Sequence, residues 1–146
     1  MSEIRDSILM WSNYASNHTG FVAGLSGPAL ANNYGFDYFE PIHYQKDYPF
    51  IDGNEDNTSQ FHKKIFYKSN DWKYEKEWRL SKNHILNRKI QIEPESITQI
   101  IIGCKMDNKS IKDLIKKSKR YLGDKIPIFK ANKHEEGFKL DLDKIS

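Results

Sequence analysis

The spacing of apolar residues changes at a glycine early in the chain. Ile4, Ile8, Trp11 and Ala15 follow the three-and-four spacing of one helix face while Ser12, Asn13 and Ser16 fall off it, so the pattern predicts a helix from Ile4 to Ala15 that frays near Asn17. After Gly20, Phe21, Ala23 and Leu25 alternate with smaller neighbours, as a half-buried strand with those three side chains inward would. From Asn33 to Phe50 the run "NYGFDYFEPIHYQKDYPF" mixes aromatics with Gly, Pro, Asn and Asp, which suits short strands and turns. The polar loop "DGNEDNTSQ" then offers Thr58 or Ser59 as a helix cap, with Phe61, Ile65 and Phe66 as the buried side of the helix that follows.

"WKYEKEWRL" reads best as a strand, with Tyr74, Lys76, Trp78 and Leu80 on one face and Glu75, Glu77 and Arg79 on the other. A helix would set Glu75 four residues before Arg79, but both tryptophans and the neighbouring "RKIQI" are typical of sheet. "ITQIIIG" has the composition of a strand buried on both faces. A helix starting near Asp107 or Asn108 runs through Ile111, Leu114, Ile115 and Leu122 and stops at Gly123. "IPIFKA" and "FKLDLD" are two more strands, so Ile100 to Ala131 reads as strand, helix, strand with a right-handed crossover if the strands are parallel.

The expected fold is therefore α/β or α+β: one domain over residues 1–146, with a mixed sheet of about five strands flanked by the N-terminal helix and a Lys-rich C-terminal helix. Trp11, Phe21, Leu25, Trp78, Leu80, Ile100, Ile102, Ile111, Leu114 and Ile128 are its expected core.

Composition narrows the class. With 146 residues, 29% charged and 13% aromatic, the chain suits one soluble domain with aromatic-rich packing. There is no apolar run of bilayer length, and "MSEIRDSILMW" lacks the basic-then-apolar order of a secretion signal, so a cytoplasmic location is expected. The single cysteine, Cys104, permits no internal disulfide and is more naturally a small apolar filler than a nucleophile. His43, His62, His84 and His134 show no metal-ligand spacing with one another or with Cys104, so no metal site is expected.

Charge is unevenly distributed. Met1 to Gln60 carries two basic residues, Arg5 and Lys46, against eight acidic ones, a balance of −6 that leaves +9 for the rest of a chain whose net charge is +3. A basic half suits phosphate-bearing partners, nucleic acid included, and Lys109, Lys112, Lys116 and Lys119 lie along one helix side. Solvated lysines explain the same pattern, and nucleic acid is the less favoured partner.

Two gapped segments carry a family resemblance. The first holds Met10, Trp11, Tyr14, Ala15, His18, Gly20 and Phe21; the second holds Lys68, Trp72, Tyr74, Glu75, Glu77, Trp78 and Arg79; an Ile-rich strand ending in Gly103 follows. In this order they resemble the bacterial family catalogued as domain of unknown function 2971, over nearly the whole chain. The resemblance implies a fold outline and a set of site residues but no reaction. Its members are usually longer, with an upstream segment ending in an Asn-Asp-Pro-Phe-like motif, so a partner chain could supply that N-terminal half.

Within these segments the chemistry-bearing residues are His18 and Glu77 as catalytic candidates and Trp11, Tyr14, Lys68, Trp72, Glu75 and Arg79 as binding candidates. On a helix continuing through Asn17, Tyr14 and His18 would share a face, and a tyrosine hydroxyl could orient the imidazole for acid–base work or for holding a ribose hydroxyl. Alternatively His18 only caps the helix end through its ring. Glu75, Glu77 and Arg79 make either a surface ion-pair ladder or a site in which Arg79 grips a phosphate and a glutamate polarises a sugar hydroxyl. An early histidine, aromatic rings and a later strand glutamate are similar in residue type to NAD-using ADP-ribosyltransferases. The functional expectation is a nucleotide- or NAD-handling enzyme of that type, its cofactor unassigned with NAD as the candidate; the alternative is a non-catalytic binding module for a partner protein or nucleic acid. "VAGLSG" lacks the spacing and ending of a P-loop.

Overall fold

A computed structural model describes residues 1–82 and 89–146. In chain order its elements are α1 (Ile8–Tyr14), β1 (Phe21–Leu25), α2 (Gly27–Asn33), β2 (Tyr38–Pro41), β3 (His43–Gln45), α3 (Asn57–Phe66), β4 (Tyr67–Ser69), β5 (Trp78–Ser81), β6 (Ile97–Ile102), α4 (Asn108–Leu122), β7 (Ile128–Lys133) and β8 (Leu140–Lys144), with short 3₁₀ turns at Asn70–Glu75 and Pro94–Ser96. The fold is mixed α/β, as expected, and the chain divides into two compact units. One comprises Met1–Ile4 with Gly35–Leu86, the other Arg5–Tyr34 with Asn87–Ser146.

The second unit is a four-stranded mixed sheet in the order β1-β6-β7-β8, with a helix against each face. β6 and β7 are parallel and joined through α4, the strand–helix–strand unit the sequence predicts. Side chains alternate along β6, so Ile101 packs with Trp11 and Ala15, while Ile100 and Ile102 pack with Ile126, Ile128 and the apolar side of α4. This explains the unbroken apolar run: β6 is covered on both sides. Asp107 caps α4, its carboxylate accepting from the Lys109 and Ser110 backbone N–H groups, and Gly123 ends it at φ +89°, a conformation that favours glycine.

Several expectations need correction in this unit. α1 begins at Ile8 rather than Ile4, because the Ser7 hydroxyl accepts from Met10 N and caps the helix there. α2, which the apolar spacing does not reveal, starts the same way, with Ser26 as its cap and Pro28 in the first turn. β1 forms where expected but with its faces reversed. Val22 packs on the Trp11 side, whereas Phe21 (51% exposed), Ala23 and Leu25 point outward. β1 is an edge strand, and the α4 side chains gather around Ile100, Ile102 and Ile128, so Phe21 opposite Ile102 is left uncovered. Trp11, Ile100, Ile102 and Ile128 are buried as expected; Ile111 and Leu114 are half-buried.

The first unit is built from two two-stranded ribbons, antiparallel β2–β5 and parallel β3–β4, with α3 leading directly into β4. Asp56, not Thr58 or Ser59, caps α3, and those two residues supply the N–H groups its carboxylate accepts. Phe66 is wholly buried and meets the Tyr38 ring at 5.6 Å between centroids. The expected strand over "WKYEKEWRL" is confined to its end. Asn70–Glu75 is a 3₁₀ turn capped by Ser69, Lys76 reverses the chain at φ +42°, and only Trp78–Ser81 is strand. Glu75 is thereby turned into the interior, 2% exposed, while Trp78 and Leu80 are half-buried. Lys89–Ile92 forms no strand; His84 and Arg88 lie outside the described residues.

Candidate functional site

The second segment forms a charged cluster whose centre is one ammonium group. β4 presents Lys68, and the 3₁₀ turn followed by the left-handed Lys76 brings Glu75 and Glu77 back towards it. Lys68 Nζ lies 2.5 Å from Glu75 Oε2, 3.0 Å from Glu77 Oε2 and 4.7 Å from the centre of the Trp72 ring. Arg79 completes the cluster. Its Nε donates to Glu77 Oε1 at 2.7 Å and its Nη2 to Glu77 Oε2 at 3.2 Å, a two-point grip, while Nη1 donates to the carbonyl of Ile65.

The electrostatics follow from this packing. Burial opposes the Glu77 charge, but hydrogen bonds from Arg79 and Lys68 outweigh it and hold the carboxyl below the usual range. Burial likewise works against the Lys68 ammonium, yet its two glutamates raise its pKa. The backbone is tied in as well, since Glu77 N donates to the Tyr44 hydroxyl at 2.8 Å and Ser2 Oγ donates to the Glu75 carbonyl. Chemically the cluster is an ionised, part-buried acceptor, Glu77, beside the exposed rings of Trp72 and Tyr74, which lie 6.2 Å apart.

The first segment is organised differently. α1 stops at Tyr14, and Ser16, Asn17 and His18 then take φ of +49°, +51° and +70°. Tyr14 and His18 therefore do not continue one helix face: Tyr14 is 62% exposed and His18 only 6%. The His18 carbonyl accepts from Lys105 N at 3.0 Å, the Gly20 carbonyl accepts from Gly103 N at 2.9 Å, and a Cβ on Gly103 would stand 2.1 Å from the His18 oxygen. Among the described residues the buried Nδ1 of His18 has no hydrogen-bond partner, so the expected cap through the ring is replaced by one through the backbone. Burial, with Lys105 and Lys133 adding to it, lowers the His18 pKa and favours the neutral imidazole. Trp11 is core, its indole N–H donating to the Arg5 carbonyl at 2.8 Å.

The structure thus groups Lys68, Trp72, Glu75, Glu77 and Arg79 within one unit and Trp11, Tyr14 and His18 within the other. It also gathers three residues the spacing argument passed over: Glu40, His43 and His62 offer ligand atoms all within 4.8 Å of one another. The spacing of histidines with one another and with Cys104 does not reveal this group; the signal in the sequence is the carboxylate three residues before His43 in "EPIH".

The model of a protein family described as "Protein of unknown function (DUF2971)" matches residues 10–80, a span covering both segments. This match supports membership of that family. No curated protein and no solved structure matches the chain. The matched span runs from α1 to the end of the Lys68 cluster, and no helix among the described residues is long and apolar enough to cross a membrane.

Proposed function

We propose that this chain handles a nucleotide of the NAD class, as an enzyme of ADP-ribosyltransferase-like type, and that the Lys68 cluster is its binding site. The observation that carries this reading is Glu77, an ionised acceptor held at both oxygens by Lys68 and Arg79 beside the exposed Trp72 and Tyr74 rings. A ligand with sugar hydroxyls to donate and a flat ring to stack matches that pairing. Glu77 takes the role of the carboxylate that polarises a ribose hydroxyl. Arg79, already engaged by Glu77, is a positioning residue that keeps this carboxylate charged and aimed. His18 is the acid–base candidate of the other unit, supported by its neutral imidazole.

Calorimetric titration with NAD, ADP-ribose and ATP tests the reading. A saturable signal that falls about tenfold or more in affinity for Glu77→Gln, with the variant still folded at the titration temperature, is expected. No heat and no thermal shift at millimolar ligand overturns it.

The alternative, a non-catalytic module for a partner protein, rests on Tyr48 and Phe50, whose rings stand exposed along a hollow they share with Lys46, Lys63 and Tyr67. Partner binding that persists in Glu77→Gln and is lost in Phe50→Ser would favour it. Binding to nucleic acid through the α4 lysines would instead weaken steeply with salt.

A further inference from the structure

Glu40 ends up beside two imidazoles because the chain steps between its two ribbons. β2 pairs with β5 and stops at Pro41; the buried Ile42 anchors the step, its N–H donating to the Glu77 carbonyl at 2.8 Å; and β3 then begins at His43 to pair with β4. In one continuous strand residues 40 and 43 would point to opposite faces. Across this step they converge, and α3 brings in His62 from a third element.

His62 Nε2 lies 2.7 Å from Glu40 Oε1, and His43 Nε2 lies 3.9 Å from Glu40 Oε2. Both contacts are within ion-pair distance, and they place two Nε2 atoms against different oxygens of one carboxylate. With all three ligand atoms within 4.8 Å of one another, the group has the donor set and spacing of a metal site. Ligand atoms about 2.0–2.1 Å from a tetrahedral ion stand about 3.3 Å apart, between the two observed separations, so small side-chain rotations would suffice. The rings are also held from behind. His62 stacks on Phe66 at 4.9 Å and His43 lies 5.1 Å from Tyr67, so apolar contacts limit the orientations of both imidazoles.

We infer that Glu40, His43 and His62 form a binding site for one divalent transition-metal ion of the zinc class. Imidazole and carboxylate ligands suit zinc, cobalt, nickel and copper better than calcium or magnesium. Three protein ligands leave at least one coordination position open, and the half-exposed His43 side chain gives an ion access from solvent. Glu40 faces Arg79 across the β2–β5 ribbon, so the ion would stand one strand from the Arg79–Glu77 pair. The site does not depend on what the Lys68 cluster binds.

Titration of the full chain with Co²⁺, followed by visible absorption, and with Zn²⁺, followed by calorimetry, tests the inference. One ion per chain is expected, with visible bands distinct from those of aqueous Co²⁺ and a Zn²⁺-dependent rise in the unfolding midpoint. His43→Ala, at a half-exposed position, should leave the metal-free midpoint unchanged and weaken Zn²⁺ binding about tenfold or more; Glu40→Gln should do the same. His134→Ala is the control, because His134 pairs with Asp141 at 3.0 Å in the other unit and could collect a cation there on its own. Absence of the Co²⁺ bands, Zn²⁺ affinity equal in the parent and His43→Ala, or binding lost only in His134→Ala would each overturn the inference.

Discussion

Around Gly103 the chain is held by main-chain groups: carbonyls of His18 and Gly20 accept from Lys105 and Gly103, and the missing side chain of Gly103 is what lets the strands approach. Around Lys68 it is held by side-chain charge: one ammonium, one guanidinium and two carboxylates meet between a 3₁₀ turn and a strand. His18 and Gly20 on one side and Lys68 on the other lie in the span the family model matches, yet the two places constrain sequence for different reasons. The first needs particular backbone shapes and, at Gly103, the absence of a side chain. The second needs particular functional groups, and its backbone follows from where those groups must meet. Chemistry is therefore better sought around Lys68, and the Gly20 and Gly103 positions better read as architecture.

Breaking the backbone side of this comparison should have the largest effect. Gly103→Ala places a Cβ 2.1 Å from the His18 oxygen and 2.7 Å from the Gly20 oxygen, both main-chain atoms that cannot swing aside. The expected loss is about 3 kcal/mol, at the upper end for overpacking, read as a lower urea midpoint. A midpoint within experimental scatter of the parent would mean that the His18–Gly20 segment yields easily and is not the fixed element described above.

Breaking the charged side should cost less. Lys68→Met keeps the apolar stem near Trp72 but removes the ammonium from Glu75, a carboxylate with almost no solvent contact, and from Glu77. A fully buried pair broken this way costs about 3–5 kcal/mol, and the partial exposure of Lys68 and Glu77 brings the expectation to about 2 kcal/mol. Adding Glu77→Gln to Lys68→Met should cost less than the two single changes together, because the residues share one interaction. Strict additivity in the denaturation midpoints would show that the cluster is not an energetic unit.

The same contrast governs how much was legible. β6, α4 and β7 could be read because their signals are local and strong: an apolar run covered on both faces, an Asp cap, a stopping glycine. The strand read over "WKYEKEWRL" fails at Lys76, where a non-glycine residue takes a left-handed turn that no alternation announces, and Glu75 is buried as a result. β1 was found but inverted, since alternation gives two faces and only the extent of α4 decides which is covered. Glu77 and Arg79 could be singled out within the segment that carries the resemblance; that Lys68 sits between Glu75 and Glu77 depends on the unannounced turn at Lys76, and that Glu40 meets two histidines depends on how separate elements pair.

The smallest effect sharpens the comparison by pH. His18 has a lowered pKa, so the folded chain binds its proton less readily than the unfolded chain does; its contribution is present above the unfolded value of about 6.5 and is lost as pH falls below it. Glu77 is also lowered, from a carboxylate value of 4.5, so its contribution survives that range and is lost only as pH falls below about 4.5. The stability difference between the parent and each variant, measured from pH 7 to pH 3, should therefore change in a single window, with a slope of less than one proton. His18→Ala should reduce the loss in the upper range, and the four other histidines, common to both proteins, cancel in the difference. Glu77→Gln should reduce the loss below pH 4.5, to which the lowered carboxyls of Asp56 and Asp107 also contribute, and leave the upper range unchanged. If the parent and His18→Ala lost stability equally between pH 7 and pH 5, the buried imidazole would not be held neutral, and the acid–base role proposed for it would lose its physical support.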